Sequence, residues 1–182
     1  MRIPEEIENQ EILVRFVFES HFKNKKIEPG RVNDGEIFMD SRLIGVSLQR
    51  NQYCSENLCK ALAMQVPHQK YVGFMIFDKE RFLKARSLHQ GIRSNFEAEI
   101  MFTPLDEDNN IIADKSNIFI DTPKNPSHSD LYYIDPAIIE PESPNIAIRF
   151  FSRQLCKLSK LVMDYPSLND TCTHVFADIY SD

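Results

Sequence analysis

Apolar residues alternate or cluster in short runs along most of the chain, with two periods in evidence. Residues 11–18, EILVRFVF, form a β-branched and aromatic run that predicts a strand, interrupted by Arg15. The stretch HFKNKKIEPGRVNDGE that follows is polar and rich in turn signals, Pro29-Gly30 and Asp34-Gly35, the second a candidate hairpin tip. Residues 42–49 predict a second strand, ending at Arg50. Residues 55–66 predict a helix capped by Ser55, with Glu56 in its first turn and Leu58, Ala61 and Leu62 as its apolar face; Pro67 stops it. Residues 71–77, YVGFMIF, suit a strand buried on both faces. Asp78 then caps a helix that runs to Gly91, with Phe82, Ala85 and Leu88 inward.

Strict alternation returns at 96–103, where Phe96, Ala98 and Ile100 share one face and Glu97 and Glu99 the other. An acidic, turn-rich surface segment follows at 104–116, then a short strand at 118–122 expected to pair back on 96–103. Residues 131–134 predict a further strand, and 135–143, with two prolines, an extended connection. The clearest helix starts at Ser143-Pro144 and carries a stripe of Ile148, Phe151, Leu155, Leu158 and Val162, ending before Pro166. Together these elements predict an α+β domain over residues 1–166. A mixed or mostly antiparallel sheet packs on two or three helices, one of them long and C-terminal. Residues 93–121 read as an insertion or mobile hairpin, and 167–182 as a loosely held polar tail.

Composition narrows the chemistry. The 182 residues carry a net charge of −6, so no global positive field draws the chain to nucleic acid or acidic lipid. No apolar run is long enough to span a bilayer, and the acidic N-terminus MRIPEEIENQ lacks the apolar core of a signal peptide; a cytoplasmic protein is expected. Only 5 glycines occur and none builds a phosphate-cradling loop. The 4 cysteines, Cys54, Cys59, Cys156 and Cys172, lack paired zinc spacing and read as structural thiols. No metal and no cofactor is expected.

One stretch invites a chemical reading: NPSHSD at 125–130. In extended backbone His128 and Asp130 share a face, so the carboxylate could orient the imidazole as a general base. The alternative is a polar turn whose side chains bond to local backbone. Arg50, at a strand end beside Ser47, is a candidate anion clamp, against an ordinary ion pair. His21, followed by Lys23, Lys25, Lys26 and Arg31, opens a basic loop. Arg149, Arg153, Lys157 and Lys160 make a basic stripe on the last helix, either solvated or set against a phosphate backbone.

Several of these pieces recur in order: a His-containing turn in FESHF, KIEP, the strand end VSLQR, YVGFMIF, and NPSHSD. In this the chain resembles a widespread family of small uncharacterised bacterial proteins with an SVxR-like strand end and an NPxHAD-like motif, over roughly residues 12–166. The resemblance places the family's motif residues on His21, Pro29, Ser47, Arg50, Gly73, Asn125, Pro126, His128 and Asp130. The chain departs from the family in Ser129, which stands for a small Ala, in the span 93–121, and past 166.

Two readings follow. The favoured one is a non-catalytic accessory or interaction subunit of a bacterial cytoplasmic system, of the phage-defence or toxin–antitoxin kind, with a protein partner. The alternative is an enzyme acting on a nucleotide or nucleic acid. His128 would be its base, Asp130 the orienter, Arg50 the clamp and His21 a fourth member, with Ser47, Asn125, Arg149, Arg153 and Lys157 binding. Convergence of His128, Asp130 and Arg50 in one concave site would favour the enzyme.

Overall fold

The computed structural model describes residues 1–39, 45–92, 96–134, 144–166 and 168–181. The fold is α+β, a six-stranded sheet with every neighbouring pair antiparallel. In chain order its strands are β1 Ile12–Phe18, β2 Val46–Arg50, β3 Tyr71–Asp78, β4 Ala98–Phe102, β5 His128–Tyr133 and β6 Lys160–Met163, and they lie side by side as β4-β5-β2-β1-β3-β6. The helices are α1 Glu56–Met64, α2 Lys79–Gln90, α3 Pro144–Leu158 and α4 Phe176–Ser181.

The period of two sends alternate residues of β1, β3 and β6 into two separate cores, while β4 leaves Glu99 and Met101 exposed on its second face. Leu13, Leu48, Met75, Phe77, Ile100 and Leu131 face α2 and α3, which contribute Phe82, Ala85, Phe151 and Leu155. Val14, Phe74, Ile76 and Val162 face α1 and α4, which contribute Cys59, Ala63 and Phe176. A sheet covered on both faces explains why all of β3 is buried. Gly73 is required there by packing, because an added Cβ would lie 2.1 Å from the Val162 carbonyl oxygen.

Two of the helix caps read from the sequence are made, those of α1 and α2. The Ser55 hydroxyl accepts from Leu58 N at 3.3 Å, and Asp78 accepts from Arg81 N at 2.7 Å. The buried faces differ in detail. In α1, Cys59, Lys60 and Ala63 point inward while Leu58 is exposed. Lys60 is held by Asp164 at 2.9 Å and by the Thr171 carbonyl at 3.0 Å, so its charge is matched inside. In α2, His89 takes the inward place expected of Leu88.

The apolar stripe from Ile148 to Val162 is not one helix. α3 ends at Leu158, where the Ser159 hydroxyl donates to the Leu155 carbonyl at 2.7 Å, and residues 160–163 turn into β6. β3 would otherwise end the sheet, and its unpaired backbone edge draws 160–163 into a ladder. Val162 therefore belongs to the opposite core from Phe151 and Leu155. The polar tail is likewise corrected: α4 buries Phe176 edge-on against Phe74, ring centroids 5.0 Å apart. Residues 118–122 do not pair with β4; Phe119 bridges to Arg2, and Ile3 N donates to the Ile118 carbonyl at 2.8 Å. The Asp34-Gly35 turn docks on α3, its Asp34 carbonyl accepting from Ser152 Oγ at 2.6 Å. The start of the strand expected at 42–49, the connection 135–143 and the Ser143 cap lie outside the described residues.

Candidate functional site

NPSHSD is a turn joined directly to a strand. His128 N donates to the Asn125 carbonyl at 3.4 Å, closing the turn, and β5 begins at His128 itself. His128 and Asp130 are thus strand residues, 6% and 8% exposed, rather than members of a loop. They point to one face, and the register sets them opposite Gln49 and Ser47 of β2. The next strand, β4, runs straight on to Thr103, which faces His128 and ties the pair together.

The Thr103 carbonyl lies 2.8 Å from His128 Nδ1 and can only accept, so Nδ1 carries the proton. The Thr103 hydroxyl sits 3.1 Å from the same nitrogen and donates to Asp130 Oδ2 at 2.8 Å. Asp130 Oδ2 is 3.8 Å from Nδ1 and also accepts from the Tyr132 hydroxyl at 3.4 Å. With Nδ1 protonated, Nε2 holds a lone pair that meets no partner among the described residues. Burial lowers the His128 pKa below its ordinary value; Asp130 and the Thr103 carbonyl oppose that shift and Arg15 adds to it. The imidazole is neutral at neutral pH, oriented, and basic at Nε2, which is the state a general base requires.

Arg50 is not part of this arrangement. Its guanidinium is 0% exposed and forks onto the Glu11 carboxylate, through Nε to Oε1 and through Nη2 to Oε2 at 2.8 Å. It also donates to the Pro4 carbonyl and, at 3.0 Å, to the Glu6 carbonyl, between the rings of Tyr53 and Phe102. The expected anion clamp is therefore a structural tie that fastens the N-terminal segment to the end of β2. A dissolved anion has no route to it.

His21 also stands apart. Val14 is level with Gln49, and Gln49 with His128, whereas His21 follows the far end of β1, four or more residues on, about 13 Å at roughly 3.3 Å per residue. Its Nδ1 accepts from Phe18 N at 3.1 Å, and burial, with help from Arg15, brings its pKa down to about 3. Asn125 serves the turn, accepting from the Ser127 hydroxyl at 3.4 Å and bridging to Leu105. Ser47 is exposed beside Asp130, and its carbonyl accepts from Arg15 at 3.2 Å. On α3, Arg149 pairs with Glu36 at 3.4 Å and Arg153 with Asp34 at 3.6 Å, while Lys157 is exposed. Acidic residues of the docked turn thus offset the basic stripe.

The sequence reading missed Thr103, whose only local sign is its place at the end of an alternating strand. It also missed Glu11, which has none, because its partner lies 39 residues away. Among the described residues no group of His, Cys, Asp and Glu is placed to hold a metal ion, and no helix is long and apolar enough to cross a membrane. In comparisons with protein-family models, curated proteins and solved structures, nothing matches this chain.

Proposed function

We propose that this protein is a non-catalytic accessory or interaction subunit of a bacterial cytoplasmic system, and that its partner is a protein. The observation that carries this reading is Arg50. The side chain best suited to grip a phosphate is spent inside the fold on Glu11 and two backbone carbonyls. An enzyme acting on a phosphate-bearing substrate needs a cation facing that substrate, and beside His128 and Asp130 none is supplied by Arg50. The test joins two measurements on the purified full chain. Native mass spectrometry of protein isolated from the producing cell should give a stoichiometric complex that survives His128→Ala. A panel of nucleotides and oligonucleotides should show no turnover. Turnover by the wild type that His128→Ala removes, with the circular dichroism spectrum unchanged, would overturn the proposal.

One observation favours the second reading, an enzyme in which His128 is general base and Asp130 its orienter. The Thr103 carbonyl and hydroxyl hold both groups in a geometry that leaves Nε2 as the basic atom. The same turnover assay separates the two readings, since an interaction subunit has no rate for His128→Ala to lose.

A further inference from the structure

The two thiols expected to be inert, Cys54 and Cys59, are in contact. Their sulfurs are 3.3 Å apart, with the Cys59 thiol directed at the Cys54 sulfur and, at 3.5 Å, at the Cys54 carbonyl. Cys54 immediately precedes the Ser55 cap, and Cys59 lies in the first turns of α1, so one short helical segment sets the pair's geometry. They are 1% and 0% exposed, in the core shared with Phe74 and Phe176. The pair is also asymmetric. Donation from the Cys59 thiol lowers the Cys54 pKa against the opposing effect of burial. Cys59 is pushed well above the ordinary thiol range by that hydrogen bond and by burial. One sulfur is thus disposed to be the thiolate and the other to carry the proton.

We propose that Cys54 and Cys59 form a redox-active dithiol, which a small hydroperoxide converts to an intramolecular disulfide. The Cys54 thiolate attacks the terminal oxygen of the hydroperoxide. The O–O bond breaks, Cys54 becomes a sulfenic acid, and the alkoxide or hydroxide released takes a proton to leave as alcohol or water. Cys59 then attacks the sulfenyl sulfur, the S–S bond forms, and the expelled hydroxide takes the Cys59 proton and leaves as water. Two thiols lose two electrons, and one hydroperoxide gains them. The burial of both sulfurs selects the oxidant by size: hydrogen peroxide fits a transient opening of the core, whereas oxidised glutathione does not.

Tryptic cleavage at Arg50 and Lys60 places both cysteines in one peptide, residues 51–60, and Glu56 offers a cleavage point between them. Reduced full-length protein is treated with hydrogen peroxide while folded, then unfolded, alkylated and digested. The 51–60 peptide should lose two hydrogens and both alkylation sites, stay joined after cleavage at Glu56, and regain both sites with dithiothreitol. It should do so before Cys156 and Cys172 react, although both are more exposed. Oxidised glutathione in place of peroxide should leave the peptide alkylatable. Cys59→Ser, lacking the resolving thiol, should stall at a Cys54 sulfenic acid that dimedone captures. The proposal is overturned if 51–60 remains fully alkylated while Cys172 oxidises, if Cys54 joins Cys156 or Cys172 instead, or if Cys54 passes to sulfinic acid without a disulfide. These readings use the wild-type chain, so they hold even if Cys59→Ser fails to fold.

Discussion

Arg50 shows how one side chain can look like a ligand and act as a fastening. Removing its charge leaves the buried Glu11 carboxyl group without its partner and the Pro4 and Glu6 carbonyls without a donor. Breaking a buried pair from one side costs about 3–5 kcal/mol, a large part of a total stability of about 5–15 kcal/mol. Arg50→Met should therefore shift the urea midpoint strongly. Arg50→Lys should shift it less, since charge is kept but the fork is lost. Adding Glu11→Leu to Arg50→Met should recover part of the loss; an unchanged midpoint in the single variant would remove the tie we describe. His21 and His128 make a second residue-scale case. Both have folded-state pKa values below the ordinary 6.5, so the unfolded chain binds more protons as pH falls through that value. Their contribution is complete above about pH 6.5 and is lost as the pH drops, for His21 down to about 3. Urea midpoints measured from about pH 8 to about pH 4 should fall with pH, and His21→Gln, which keeps an acceptor for Phe18 N, should flatten the slope. A steepened slope would contradict the assignment.

At the scale of elements, α3 is read by comparing its two faces. Leu155 is fully buried between α2 and the sheet, whereas Arg153 stands in a half-exposed pair with Asp34. Leu155→Ala should cost about 2–5 kcal/mol, and Arg153→Ala about 0–1 kcal/mol. A thermal melt ranks the two, and the reverse order would mean that the faces are exchanged. The end of α3 bears on sequence reading itself. Leu158 and Val162 are four apart and continue a helical stripe, yet they belong to different elements. Periodicity records which residues are apolar at which spacing; it does not record that β3 offers a free ladder edge to residues 160–163.

For the molecule as a whole, the segment past Pro166 closes the second core. Phe176 packs on Phe74, the Tyr180 hydroxyl accepts from Asp78 N at 2.8 Å, and the Thr171 carbonyl caps Lys60. Deleting residues 167–182 would uncover this side of the sheet and strip Lys60 of a partner. Phe176→Ala alone should cost about 3–5 kcal/mol. The deletion should cost more and raise binding of an apolar dye. A truncated chain that melts like the full one would restore the reading of a loose tail.

Features that depend on a few neighbouring residues are legible in the chain before it folds. Alternation placed Phe96, Ala98 and Ile100 inward, Ser55 and Asp78 marked helix starts, and the period of two put His128 and Asp130 on one face. These follow from backbone geometry that acts within a turn or a pleat. Tertiary structure decided everything that needs a partner far along the chain. It brought Thr103 to His128, Glu11 to Arg50, the Asp34 turn to α3 and Phe176 to Phe74. It also decided that Arg50 faces inward, because a guanidinium at a strand end is equally suited to a ligand or to a carboxylate of the same chain. Which it meets depends on how the strands are ordered and where the N-terminal segment lies. Neither is encoded within any stretch short enough to carry a period.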